Sequence, residues 1–317
     1  MSFAQKVKTE IISKPIKDDH CKIAFLSGVM RGSGVLFERD GELGVDFRIG
    51  TEQGAEFVSL LLKSLFNYDV REISVSENNL SKNDRFEISV TGKEAITILK
   101  TLGILTGDDD QLTVDFDFYG KICKKDCCLR SFFKGLFYAS GNCTVPTQGK
   151  SSSNTGYHLE FTFSHVASAQ ATADKLSQIG LSPKVTSRKG KYVVYIKSAE
   201  EIKDFIAFLP APVSVLSIID LMINKEIANN SNRQKNCDLG NLNRQVTASI
   251  NQINAINKIE KSVGLKTLKD DLKTVAIARK NNPDQTLVEL ADELGISKSC
   301  LNHRLRKIVE IANDIKG

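Results

Sequence analysis

The chain has no run of eighteen apolar residues, so no membrane-spanning helix is expected. Its N-terminus, MSFAQKVKTEI, lacks an apolar h-region and does not read as a secretory signal. It reads as a helix start, with Ser2 as cap and Gln5 three residues on as its capping-box partner. CxxC pairs are absent, and there are only four histidines in 317 residues. The seven cysteines are odd in number and do not form a disulfide framework, which points to reduced thiols in a cytoplasm. Cys123, Cys127 and Cys128 lie close in sequence, but the few histidines do not complete a set with them. They are read as structural thiols, and neither a metal nor a cofactor is expected. There is no charge excess in the first two thirds, where residues 1–220 carry 27 Lys and Arg against 27 Asp and Glu. Residues 221–317 carry 16 against 11, so the whole excess of +5 sits in the last third. A basic segment on a neutral body is the electrostatic footprint of a nucleic-acid partner. The neutral first part alone is expected to hold DNA weakly.

An internal repeat fills the first 210 residues. CKIAFLSGVMRGSG (21–34) and CLRSFFKGLFYASG (128–141) align at a constant offset of 107, matching Cys21 with Cys128, Phe25 with Phe132 and Gly28 with Gly135. Ser33-Gly34 likewise matches Ser140-Gly141. Each copy reads as a helix ending at a small-residue turn. An alternating strand follows (GVDFRI, 44–49; HLEFTF, 158–163), then an amphipathic helix near 52–66 and 166–179. A hairpin comes next, VREISVS with RFEISV and PKVTS with YVVYIK, the second turning at Lys189-Gly190. A closing helix follows near 92–102 and 198–208. The order in each half is α-β-β-α-β-β-α. Two such halves predict an α+β, pseudo-symmetric saddle, with Gly28 and Gly135 small where two helices cross. A duplicated α+β domain with no nucleic-acid role has the same pattern.

LSGVMRGSG (26–34) and FKGLFYASG (133–141) resemble degenerate copies of the motif that names the LAGLIDADG homing endonucleases. The resemblance implies two motif helices packed through small residues. In that family the eighth motif residue is an acid, and the pair of acids holds the divalent metals that cleave DNA. Ser33 and Ser140 stand at those positions here. A hydroxyl cannot replace a carboxylate as a hard-cation ligand, so no catalytic residue is assigned and the chain is not expected to be an enzyme. The remaining acids, Asp108, Asp109, Asp110, Asp115 and Asp117, read as a solvated turn and the outer face of a strand.

The C-terminal segment TLVELADELGISKSCLNHRLRKIVEIAND (286–314) carries the strongest local signal. Thr286 and Glu289 form a capping box, Leu287, Leu290 and Leu294 follow helical spacing, and Ala291 is small where helices cross. Gly295 supplies a left-handed turn, Ile296 plugs the core and Ser297 caps a second helix. Leu301, Leu305, Ile308 and Val309 form its apolar face, and a helix near 267–280 precedes the pair. This is the pattern of a helix-turn-helix whose second helix enters the major groove. The candidate DNA-binding residues are Thr286, Ser297, Lys298, Ser299, Asn302, His303, Arg304, Arg306 and Lys307. Asn302 and Arg304 are placed on bases, and Lys298, Arg306 and Lys307 on phosphates. His303 is read as a surface or phosphate-facing group; a helix-turn-helix used for protein contacts is the competing reading.

The expected domains are 1–215 (repeats about 1–105 and 120–210), a polar linker and helix over 216–262, with the helix near 242–261, and the helix-turn-helix over 263–317. Within the linker, Arg233, Lys235 and Arg244 are possible DNA contacts. The joiner Asn232-Arg233, Asn236-Cys237, Asn241, with the degenerate double motif and the helix-turn-helix, resembles the WhiA family over essentially the whole chain. That resemblance implies a DNA-binding transcription regulator linked to sporulation, cell division and chromosome segregation, cytoplasmic and nucleoid-associated. Its partners would be double-stranded DNA and other transcription or division proteins, with no membrane. The competing functions are an active homing endonuclease, which needs acids at 33 and 140, and a regulator whose N-terminal domain senses a ligand or protein.

Overall fold

The two copies of the repeat meet through one pair of helices in a computed structural model that describes residues 1–70, 73–78, 83–108, 111–115, 119–146 and 156–315. The chain divides into two units, Met1–Asn224 and Lys225–Gly317. The first opens on α1 (Phe3–Ile12), where the Ser2 hydroxyl accepts the Gln5 N–H at 3.2 Å, as the cap signal predicts. The first copy is α2 (Asp19–Ser33), β1 (Val35–Arg39), β2 (Glu42–Ile49), α3 (Glu52–Phe66), β3 (Ile73–Asn78), β4 (Asn83–Thr91) and α4 (Gly92–Thr101). Short β5 (Leu105–Thr106), β6 (Thr113–Val114) and α5 (Tyr119–Ile122) lead to the second copy. That copy is α6 (Asp126–Ser140), β7 (Asn142–Thr144), β8 (His158–Phe163), α7 (Val166–Gln178), β9 (Lys184–Arg188), β10 (Lys191–Ile196) and α8 (Ala199–Phe208). The expected element order is observed in both halves, and the two antiparallel sheets share one strand order, β1-β2-β4-β3 and β7-β8-β10-β9.

The strand pattern has a direct packing cause. Alternate residues of β8, Leu159, Phe161 and Phe163, are buried while their neighbours are half-exposed. Lys189 (φ 50°) and Gly190 (φ 73°) are both left-handed, as a two-residue hairpin between β9 and β10 requires. Between the copies, α2 and α6 cross backbone to backbone. A Cβ on Gly28 would lie 2.1 Å from the Phe132 carbonyl oxygen, and one on Gly135 would lie 2.0 Å from that of Phe25. These contacts are the same pair exchanged by the 107-residue offset, so the crossing follows the pseudo-twofold of the repeat. Phe25, Leu26 and Val29 of α2 and Phe132, Phe133 and Leu136 of α6 are fully buried. Of the acids read as solvated, Asp108 is exposed and Asp115 pairs with Lys121 at 3.3 Å. Asp109, Asp110 and Asp117 lie outside the described residues.

The segment expected as a polar linker running into a helix near 242–261 is helical throughout. Residues Pro212–Ser262 form one helix, α9. The Glu10 carboxylate accepts the Val213 and Ser214 N–H groups at 2.7 and 3.0 Å and so caps its N-terminus. Asn-rich sequence costs a helix only a few tenths of a kcal/mol per residue, and no proline interrupts 213–262. Polar bonds one turn apart, such as Gln234 to Asp238 at 3.0 Å, add support.

The second unit continues through a 3-10 turn (Leu265–Thr267) into α10 (Asp270–Asn281), α11 (Leu287–Glu293) and α12 (Lys298–Asp314). Its core includes Ile256 and Ile259 of α9, Val275 and Ala276 of α10, Leu290 and Ala291 of α11, and Leu301, Leu305 and Ile308 of α12. The last turns of α9 therefore belong to the core of the helix-turn-helix unit. No helix among the described residues is long and apolar enough to cross a membrane.

Candidate nucleic-acid interface

Local chemistry sets the geometry of α11 and α12. The Thr286 hydroxyl accepts the Glu289 N–H at 3.2 Å, and the Glu289 carboxylate accepts the Thr286 N–H at 2.8 Å. That bond, followed by the Thr286 hydroxyl, holds the Glu289 carboxyl below the usual carboxylate range. Gly295 turns the chain at φ 64°, Ile296 packs half-buried against the core, and the Ser297 hydroxyl accepts the Cys300 N–H at 3.1 Å to start α12. Leu301, Leu305 and Ile308 point inward, with Val309 half-buried beside them. This orientation leaves Lys298, Ser299, His303, Arg306 and Lys307 exposed and Asn302 half-exposed, on faces spaced three and four residues apart. Every element of the sequence-read turn is therefore in place.

Besides the capping residues Thr286 and Ser297, two basic candidates of α12 are paired within the unit. Arg304 Nε lies 3.5 Å from Asp271 Oδ2 of α10, so this guanidinium ties α12 to α10 instead of standing clear of the fold. Lys307 Nζ lies 3.0 Å from Glu310. Arg279 went unnoticed in the sequence. It is 2% exposed, and its Nη1 donates to the Gln285 carbonyl at 2.8 Å, pinning the loop that delivers Thr286. Burial pushes its pKa down. Its position in an apolar helical pattern, directly before the Pro283 turn, was the available signal.

The joiner residues also come together. Arg233, Cys237, Asn241 and Arg244 follow one another at four, four and three residues on α9, all exposed. The Asn241 side chain donates to Cys237 Sγ at 3.7 Å, and Arg244 donates to the Asn241 side-chain amide oxygen Oδ1 at 3.4 Å. Arg244 lines a hollow of about 480 Å³ together with Thr286 and Lys298. Lys235 is exposed on the same helix but is not a lining residue of that hollow.

Ser33 and Ser140 share a cleft of about 540 Å³ in the first unit. The Ser33 hydroxyl donates to the Arg48 carbonyl and that of Ser140 to the Leu136 carbonyl at 3.2 Å. Arg31, Arg48, Arg85 and Lys191 line the cleft, whose described lining includes no carboxylate; Arg48 is paired with Glu87 at 3.0 Å just outside it, which leaves Arg31, Arg85 and Lys191 to carry the cleft's positive charge. A neutral unit thus carries a local cationic cleft where the nuclease pattern would place acids, a concentration that the summed charge concealed.

Two of the three cysteines that lie close in sequence gather with more distant partners. His20, too far from residues 123–128 in sequence to have been grouped with them, lies with Cys21, Cys127 and Cys128, the four ligating atoms all within 4.8 Å of one another. The 107-residue offset pairs Cys21 with Cys128 and His20 with Cys127, and was the signal that could have found the cluster. Cys123 and Cys143 fit the structural-thiol reading; burial pushes both up to about 12.

Comparison with known proteins covers the whole chain. Family models match as the WhiA N-terminal LAGLIDADG-like domain over residues 19–105, the WhiA LAGLIDADG-like domain over 129–228 and the WhiA C-terminal HTH domain over 231–312. A relative from Clostridium acetobutylicum, named "Probable cell division protein WhiA", is 36% identical over 100% of this chain and 99% of its own. Relatives of the same name from Clostridium novyi and Lachnospira eligens are each 34% identical over 100% of this chain, covering 99% and 98% of theirs. The crystal structure of full-length WhiA from Thermatoga maritima matches with a TM-score of 0.59 at 22% identity, covering 100% of both chains, and shares the fold. Matched end to end by relatives and in order by three domain models, the chain belongs to the WhiA family.

Proposed function

We propose that this protein is a sequence-specific binder of double-stranded DNA that regulates transcription and has no nuclease activity. The observation that carries the reading is the exposed face of α12, presented by a fully capped turn and bearing Lys298, Ser299, Asn302, His303 and Arg306. The first turns of such a helix enter the major groove. On this reading Asn302 reads a base, while Lys298, Arg306 and Arg244 hold phosphates. Arg304, 3.5 Å from Asp271, is drawn towards α10 and is not counted among the base contacts. Ser33 and Ser140, both bonded to backbone carbonyls, supply no carboxylate for a metal-dependent cut. The relatives' name supports a role in cell division, and chromosome segregation and sporulation extend it by family resemblance. The setting would be the cytoplasm, at the nucleoid, with transcription or division proteins as further partners. The cationic cleft favours an added phosphate contact by the first unit.

The test is a salt titration of the full chain on a footprinted genomic site and on a scrambled one. Asn302→Ala should lose roughly 1–3 kcal/mol on the site and little on the scramble. Lys298→Ala should weaken both and lower the salt slope by about one. Equal losses for Asn302→Ala on both DNAs, or site-specific double-strand breaks when Mg²⁺ is added, would overturn the reading.

A further inference from the structure

The first turns of α2 and α6 carry the same two positions of the repeat, His20-Cys21 and Cys127-Cys128. The helices cross at Gly28 and Gly135 and run side by side about the pseudo-twofold, so these turns face each other. His20 Nδ1 lies 3.3 Å from Cys21 Sγ and 3.3 Å from Cys128 Sγ. The described residues include no other such group of potential metal ligands. All seven cysteines, these three included, are free thiols.

We infer that His20, Cys21, Cys127 and Cys128 form a tetrahedral zinc site that clasps the two motif helices at their N-terminal ends.

Three thiolates and one imidazole are a structural zinc set, and soft sulfur ligands select zinc over magnesium or calcium. With Zn–S near 2.3 Å and Zn–N near 2.0–2.1 Å, tetrahedral geometry puts nitrogen and sulfur about 3.5 Å apart and two sulfurs about 3.8 Å apart. The two nitrogen–sulfur distances are already close to this value, and the remaining pairs need only small rotamer changes to reach it. Binding would replace three thiol protons, released to solvent, with one divalent cation; no electrons move. The product carries one net negative charge at the N-termini of two 15-residue helices, where their dipoles favour it. Cys21 and Cys128 are buried and shield the metal, while His20 and Cys127 are exposed and give it a way in. This end of the pair lies about twelve residues, roughly 18 Å, from Ser33 and Ser140. The site is therefore separate from the nuclease position, and four protein ligands leave no open position for catalysis.

The experiment measures zinc in the full chain, purified under reducing conditions, by elemental analysis. Wild type should hold about one zinc per chain, and the zinc-free protein titrated with cobalt(II) should show the strong visible absorption of tetrahedral thiolate coordination. Cys127→Ser and His20→Ala alter exposed side chains and should cut retained zinc at least about tenfold. Cys237→Ser and Cys300→Ser should keep it. Chelation should lower the melting temperature of wild type but not of Cys127→Ser. The site is overturned if folded wild type with free thiols retains no zinc and gives no cobalt absorption, or if Cys127→Ser retains zinc in full. Iron in place of zinc, or a disulfide among these cysteines in the native protein, overturns it equally.

Discussion

Replacing Gly28 by alanine tests whether the two halves are held together by close backbone approach. The new Cβ would sit 2.1 Å from the Phe132 carbonyl oxygen and 2.7 Å from the Leu136 nitrogen. Ordinary contact begins near 3.4 Å, so the helices must part by about 1.3 Å (3.4 − 2.1). The obstructing atoms are backbone, and no side-chain rotation relieves them. Overpacking a core costs typically about 1–3 kcal/mol, and a rigid obstacle puts this case at about 3 kcal/mol or above. For a unit of this size that lowers its melting temperature by roughly 6–12 °C. Gly135→Ala should do the same, because its Cβ meets the Phe25 carbonyl oxygen at 2.0 Å. Gly240→Ala is the control. It lies inside α9 with nothing within 4 Å, and should gain about 0.5–1 kcal/mol from helix propensity. Scanning calorimetry of the three full-length variants reads these shifts. A Gly28→Ala transition within about 1 °C of wild type would refute the close crossing.

Two further predictions concern the second unit. Thr286→Ala removes half of the capping box and should destabilise the helix-turn-helix by about 1 kcal/mol in denaturant melts. Because the folded Glu289 carboxyl titrates below its ordinary value, its contribution is full above the unfolded pKa of about 4.3 and is lost as pH falls through the lower folded value. Glu289→Gln should flatten that acid limb, and an unchanged acid profile would argue against the box. Arg279→Met keeps the bulk but leaves the Gln285 carbonyl unpaired, and should cost about 1–3 kcal/mol and loosen DNA binding together with the fold. A variant as stable as wild type would show that the guanidinium does not hold the loop.

Legibility followed the range of the forces involved. The alternation in β8, the Lys189-Gly190 hairpin and the Thr286–Glu289 cap are decided by neighbours within a few residues, and all three were readable. Helix-crossing glycines were also readable, since repetition at one offset exposed them. The continuity of α9 was not, because Asn, Ser and Gly240 are only weak helix breakers and tertiary capping by Glu10 lies 203 residues from Val213. The Arg304–Asp271 pair and the Arg31–Arg48–Arg85–Lys191 cleft depend on how separate elements converge, which residue counts do not report. His20 was invisible for the same reason. Its partners on α6 are more than a hundred residues away, and adjacent ligand pairs do not look like the usual zinc spacing.

The interlocking of α2 and α6 also sets an order for biosynthesis. Phe25, Leu26 and Val29 are buried in a core to which α6 supplies Phe132, Phe133 and Leu136. A nascent chain that has released α2 lacks those partners until residues up to Ser140 have emerged, 107 residues after Ser33. At synthesis rates of about 5–20 residues per second, that interval lasts roughly 5–20 s, during which an apolar helix face stands open on the ribosome. The duplicated architecture thus makes the first half a dependent of the second during translation, and the window for misassembly closes only when the second motif helix arrives.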